Sequence, residues 1–166
     1  MRPIWLMLLS LLGLLLAACA AGPRYGTEAV NMDLTPLGVA AEPEAFTGER
    51  VVWGGIIVAS ENLKDSTRME VLSYPLDRSQ RPRTERSPQG RFLVSQPGYV
   101  ETADYAPGRQ ITLSGRVEEV IDGRIGEADY RYPRVIPDDL YLWQREAGPA
   151  QSGPRVRFGV GIILTN

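Results

Sequence analysis

Few side chains in this sequence can do chemistry. Cys19 is the only cysteine, Lys64 is the only lysine, and histidine is absent. Without histidine there is no side chain that titrates unperturbed near neutral pH, no Ser-His-Asp or Cys-His triad, and no His-containing zinc site. Lys64 lies in "SENLKDS" with no SxxK spacing, so it reads as a solvated loop charge. Adjacent acids occur at Glu118-Glu119 and Asp138-Asp139. Neighbours in a strand point to opposite faces, so neither pair is expected to act as an acid/base couple. A carboxylate hydrolase built on Asp104, Asp129 or Asp139 would need two acids about 5 to 10 Å apart in one concave site. Phosphate loops, GxGxxG and calcium-loop spacings are missing, and the glycines of "GGII" and "GVGII" lie inside apolar runs. No cofactor and no metal are expected.

The sole thiol has an informative setting. Met1-Arg2 carries a positive charge, Ile4 to Ala18 is almost unbroken apolar and small residues, and Cys19 follows directly. Fewer than about 18 apolar residues make a signal-peptide core rather than a permanent span. Ordinary cleavage would leave an unpaired thiol in a disulfide-forming compartment. Leu16-Ala17-Ala18-Cys19 resolves this, because it resembles the lipobox of bacterial lipoproteins, in which the cysteine sulfur receives a diacylglycerol before cleavage. The plainer alternative is a leftover or reactive thiol behind a common signal peptide. Two or three acyl chains at Cys19 would give stable membrane attachment where one gives only reversible binding. Ala20 stands where an Asp commonly retains such proteins at the inner membrane, so export to the outer membrane is expected.

Three segments follow: a lipoprotein signal peptide over 1–18, a lipidated tether over 19–48, and a β-barrel domain over 49–166. Residues 19–166 are long enough to bury a core without disulfides or metal. The tether reading rests on Gly, Pro, Thr and Ala without sustained period, with a short helix or turn near Asp33 to Gly38. The chain has 18 basic and 20 acidic residues, so no global field favours nucleic acid.

From Glu49 the texture changes to short β-branched and aromatic runs punctuated by Gly, Pro, Asn and Asp. "RVVWGGIIVASE" is a strand with a bulge or sharp coil expected at Gly54-Gly55. "TRMEVLSYPLD" alternates, with apolar residues on both faces. "GRFLVSQ" is short. "QITLSGRVEEV" is the clearest strand, with Ile111, Leu113, Gly115 and Val117 on one face and a bulge expected at Glu118-Glu119. Asp122-Gly123 between strand patterns predicts a hairpin turn. "RIGEADYRYP", "DDLYLWQRE" and "RVRFGVGIILT" complete six to seven strands. A small antiparallel barrel, OB-like rather than an immunoglobulin-like sandwich, is the expected fold, since closure removes sheet edges.

Two surface features could bind partners. Arg78, Arg81, Arg83 and Arg86 lie in "RSQRPRTERSPQGR", which reads as a long polar loop able to contact a polyanion or anionic headgroups, each charge worth about 1 kcal/mol near such a surface. A soluble hairpin loop partly offset by Asp77 and Glu85 is the plainer account. Tyr130, Tyr132 and Trp143, with Tyr99 and Tyr105, could line a groove for a saccharide or peptide, or could simply pack at the core or its edge.

Taken in order, "LAAC" at 16–19, "VVWGGIIVASEN" at 51–62, "EVLSYPLDRSQRP" at 70–82, "GRFLV" at 90–94, "YAPGRQITLSGRV" at 105–117, "YRYPRV" at 130–135 and "LYLW" at 140–143 resemble the Slp family of outer-membrane lipoproteins, the starvation-inducible type. The resemblance implies a lipid-anchored envelope protein on the periplasmic face, handled by the lipoprotein export machinery and linked to stress or starvation, without established catalytic residues. Cys19 alone carries over as a functional position. The expected function is noncatalytic envelope maintenance, with an OB-like ligand-binding module for a saccharide or peptide as the alternative.

Overall fold

The β-branched runs after Glu49 form one closed barrel in a computed structural model that describes residues 22–26 and 30–145. Its strands are β1 (Arg50–Asn62), β2 (Ser66–Ser73), β3 (Arg91–Pro97), β4 (Gln110–Ile125) and β5 (Ala128–Leu142), in the order β1-β2-β3-β5-β4. All neighbours are antiparallel except β3 and β5, which run parallel through Leu93↔Arg134 and Val94↔Val135. The barrel is therefore mixed, where a purely antiparallel one was expected.

The described residues hold five strands, not six to seven. The run "RIGEADYRYP" splits, its first two residues ending β4 and "ADYRYP" opening β5, which continues without a break through "DDLYL" despite Pro133 and Pro137. Proline lacks an N–H and interrupts a ladder, but here Gly115 pairs Pro137 while Ser114 pairs Asp139, so the second proline sits at a bulge. The run at 156–164 lies outside the described residues.

Period-two alternation decides which residues face inward. On β2, Thr67, Met69, Val71 and Ser73 are buried, and on β4 Ile111, Leu113 and Val117 are fully buried. With Trp53, Phe92 and Val135 they make the core, each large apolar side chain contributing about 1.5–3 kcal/mol on burial. Trp53 and Phe92 pack as tilted rings 5.2 Å apart.

Gly55 explains how β1 coils tightly enough to pair on both sides, with Ser73 and with Ile111. A β-carbon there would run into the Leu72 carbonyl. The bulge of β1 itself falls at Val58, between Ile57↔Val71 and Ala59↔Glu70, rather than at the glycine pair. The expected bulge near Glu118 is present, between Val117↔Val135 and Glu119↔Arg134.

The β4–β5 hairpin exists, but its turn is Gly126-Glu127 rather than Asp122-Gly123. Gly126 has φ 60°, whereas Glu127 has no positive φ, the combination a type II′ loop requires. Gly123 instead stays within β4, where a β-carbon would lie 3.0 Å from the Tyr132 ring. Its bare backbone gives that ring a surface to cover.

Residues of the expected tether also join the barrel. Thr35 caps α1 (Pro36–Ala41), its hydroxyl accepting from the Gly38 N–H at 3.1 Å with Pro36 in the first turn, and α2 (Pro43–Phe46) follows. Leu34 and Val39 are buried in the core cluster.

Candidate functional site

The loop between β2 and β3 carries the arginines singled out above, and it is well tied down. Asp77 Oδ1 accepts from the N–H groups of Ser79 and Arg81, Gln80 adopts φ 62°, and Pro82 is buried and bridges to Leu76. The loop thus supplies a buried residue that its polar composition concealed. Arg81 Nε donates to Gln110 Oε1 at 3.0 Å and its guanidinium lies 5.3 Å from the Trp143 ring centre. Arg83 pairs with Glu85 at 2.9 Å, while Arg78 and Arg86 are exposed. Backbone hydrogen bonding and Arg83 hold the Glu85 carboxyl below its usual range. The four arginines do not share one role.

The aromatics likewise separate. The rings of Tyr130 and Tyr132 pack tilted with centres 4.7 Å apart near the hairpin end of β5, and Trp143 follows its other end, edge-on to Tyr141 at 4.8 Å. Tyr132 and Trp143 are buried, Tyr105 is half-buried against the core, and Tyr99 is exposed. The three named aromatics do not form a common groove.

Two polar depressions lie at opposite ends of the β4–β5 ribbon. The first, about 270 Å³, is bordered by Glu61, Arg68, Glu70, Asp122, Arg124 and Tyr132. Glu70 anchors it: Arg91 Nη1 donates to its Oε1 at 2.6 Å and the Tyr132 hydroxyl lies 3.3 Å from the same oxygen. Burial, then the Glu70 charge, pushes the Tyr132 phenol up. Tyr132 therefore stays a neutral donor, and the floor is charge-balanced.

The second, about 260 Å³, is bordered by Arg81, Gly108, Arg109, Gln110, Trp143, Gln144 and Arg145, with no carboxylate among these residues. Arg109 donates to the carbonyls of Asp104 at 2.7 Å and Trp143 at 3.0 Å, and its buried Nε has no partner. Trp143 Nε1 donates to the buried Thr112 hydroxyl at 2.9 Å, which donates on to the Gln80 carbonyl at 2.7 Å. The Gln80 side chain then clamps the N-terminal segment, its Oε1 accepting from the Tyr25 N–H at 2.8 Å and its Nε2 donating to the Tyr25 carbonyl at 3.0 Å. Gly22 lies so close to Trp143 that a β-carbon would collide with the indole. Sequence pattern gave no sign of this clamp, since Tyr25 and Gln80 are 55 positions apart.

The acids considered for hydrolysis are placed differently. Glu118 and Glu119 both reach Arg134 Nη2 at 2.6 Å, because the bulge turns both to one side, contrary to the strand rule. The guanidinium between them ties them into an ion-pair cluster. Asp138 pairs with Arg50 at 2.6 Å, Asp129 is solvated beside Arg124, and Asp104 is exposed. Among the described residues no three acids, cysteines or histidines converge to hold a metal. Cys19 lies outside the described residues.

A small mixed β-barrel with an N-terminal segment strapped to one end, and polar depressions at both ends, is the class these features define. The model of the outer membrane lipoprotein Slp family matches residues 16–159, and the chain belongs to that family. It is similar to the Escherichia coli "Uncharacterized lipoprotein YeaY", 28% identical over 72% of this chain and 62% of that protein. It is also similar to the Escherichia coli "Outer membrane protein Slp", 27% identical over 80% of this chain and 71% of that protein. A Haemophilus influenzae "Uncharacterized protein" is 38% identical over 54% of this chain and 49% of its own length. The matched region thus spans between half and about seven-tenths of these relatives. Among solved structures, an OBody bound to hen egg-white lysozyme aligns with a TM-score of 0.40 at 12% identity, over 75% of this chain and all of that one.

Proposed function

We propose that this protein is a noncatalytic lipoprotein of the outer membrane, acylated at Cys19, carried there by the lipoprotein export machinery, and held on the periplasmic face, where it serves envelope maintenance or the response to stress and starvation. The single observation that carries the reading is the charge, apolar core and small-small-Cys order ending at Cys19, in a chain of the outer membrane lipoprotein Slp family. Domain boundaries at 18/19 and 48/49 belong to this reading, with the barrel taking up Leu34 to Phe46 as a packed edge. Intact-mass measurement of membrane-extracted protein tests it. A mass beginning at Cys19 plus acyl groups, absent in Cys19→Ala, supports the anchor, and an unmodified soluble chain overturns it.

The second reading is an OB-like module that binds a saccharide or peptide. Five strands closed by a β3–β5 contact suit that architecture, whose ligands meet the β2–β3 face and the β1–β2 and β4–β5 loops. The depression around Glu70 and Tyr132 lies between β2, β3 and the β4–β5 hairpin, which is the observation favouring it. Titration with envelope glycans, followed by NMR shifts at Arg68, Gly123 and Tyr132, would separate the two; no shift removes the binding reading.

A further inference from the structure

We propose that the depression around Glu70 takes a neutral saccharide, its hydroxyl groups held between the Glu70 carboxylate and the Arg68 guanidinium. The inference rests on the reading of the barrel as a binding module and narrows it to one ligand class on one face of β2. Arg68 and Glu70 stand two positions apart on that strand, so both point outward, about 7 Å apart along the chain. Register places Ala59 and Leu93 on either side of Glu70, and Glu61 beside Arg68. Ile121 and Gly123 of the β4–β5 ribbon border the same space. A polar pair is thereby set beside a small apolar surface of Ala59, Leu93 and Ile121, in a volume of about 270 Å³.

The charges there favour a neutral ligand. Arg68 Nη2 pairs with Glu61 Oε2 at 2.6 Å, and Arg91 Nη1 with Glu70 Oε1 at 2.6 Å. Asp122 faces Arg131 at 3.9 Å, and Arg124 faces Asp129 at 3.6 Å. Each charged side chain at the rim is thus already matched by an opposite one, and Glu61, Arg68, Glu70 and Tyr132 find all their polar partners among the described residues. Open hydrogen-bonding capacity nevertheless remains. The Tyr132 hydroxyl meets the same Glu70 oxygen as Arg91 does, so Oε2 has no partner among the described residues. Arg68 donates through Nη2 alone, which leaves Nε and Nη1 for a ligand. A hydroxyl donates and accepts at once, so a sugar can bridge that carboxylate oxygen and that guanidinium without adding charge. A peptide is less well served. Added as a strand it would need an open ladder edge, and β2 has β1 on one side and β3 on the other. Bound through charged side chains it would have to displace ion pairs that the protein has already made.

The test is an NMR titration of the protein as purified from cells, in a detergent without sugar headgroups, read at the backbone amides of Arg68, Glu70 and Gly123. The probes are a panel of neutral disaccharides of glucose, galactose and N-acetylglucosamine, a glucuronic-acid disaccharide, and trialanine capped at both ends. Saturable shifts at these amides are expected with a neutral disaccharide and not with the other two. Glu70→Gln and Arg68→Gln should each raise its Kd about tenfold, from the usual worth of a hydrogen bond to a charged group. Arg78→Gln, in the β2–β3 loop, should leave it unchanged. Thermal unfolding checks that each variant folds, and Arg68→Gln, which breaks only a half-exposed ion pair, keeps the test readable if Glu70→Gln does not. An unchanged Kd in the variants that fold, or tighter binding of the glucuronic-acid disaccharide than of any neutral one, overturns the proposal. Shifts with the capped peptide alone overturn the saccharide assignment and leave the binding module standing. No shift with any probe removes the binding module and the proposal with it.

Discussion

The indole N–H of Trp53 donates to the Leu34 carbonyl at 2.7 Å inside the protein. It joins the first part of β1 to a residue 19 positions earlier, ahead of the barrel. Trp53→Phe keeps the ring against Phe92 but leaves that carbonyl without its donor. A loss of about 1–3 kcal/mol is expected in denaturant unfolding, with faster proteolysis between residues 30 and 48. Unchanged proteolysis would mean that the Leu34 segment does not depend on this bond.

Gly55→Ala should be among the most damaging single substitutions. Its methyl group would meet the Leu72 backbone rather than a side chain that can turn away. The expected cost is about 3 kcal/mol or more, measured by chemical denaturation. Gly126→Ala at the exposed hairpin tip meets only its positive φ, so about 1 kcal/mol is expected there.

The ion pairs should rank by burial. Arg91 and Glu70 are about a quarter exposed, and Glu70 also receives the Tyr132 hydroxyl. Glu70→Gln should cost about 1.5 kcal/mol. Arg68 and Glu61 are about half exposed, so Glu61→Gln should cost under about 1 kcal/mol and lose that difference in high salt. Equal costs at the two positions would contradict this ranking.

The strap should loosen in alkali. Burial, and next the negative charge of Asp139, pushes the Tyr25 phenol above its ordinary value, while its hydroxyl donates to the Thr112 carbonyl at 3.2 Å. The folded chain holds this proton more tightly than the unfolded chain does. Its contribution is therefore complete below the unfolded pKa of about 10 and fades as pH rises above it. Trp143 emission, sensitive to Gly22 on its ring, should change over that range in the wild type and already be shifted at neutral pH in Tyr25→Phe. Identical titrations would show that the phenol is not what holds the strap.

Apolar, β-branched runs were enough to find β1 to β3 and the first part of β4 in the sequence, and alternation gave the inward face of β4 at Ile111, Leu113 and Val117, because each residue there answers to a wet side or a dry side. It was not enough for β5. Pro133 and Pro137 broke the pattern into two runs, yet a bulge lets one chain carry both. The hairpin turn was legible in kind but misplaced, since Asp122-Gly123 has ideal turn chemistry and the Tyr132 ring claims that glycine instead. The loop of Arg78 to Arg86 looked solvated by composition, and only the fold brings Gln80 and Thr112 together to order it. The arginine depression gathers residues from three separate stretches, so no local spacing announces it.

The parallel seam between β3 and β5 has a mechanical consequence. It is registered only at Leu93↔Arg134 and Val94↔Val135, whereas β4 and β5 are zipped along their full length. When thermal motion opens the cylinder, this short suture parts first and the long ribbon last, so amides whose hydrogen bonds cross the β3–β5 seam should exchange with solvent before those whose bonds cross the β4–β5 ladder. A barrel that gives way along one stitched line can be flattened into a sheet and closed again without unlacing its spine.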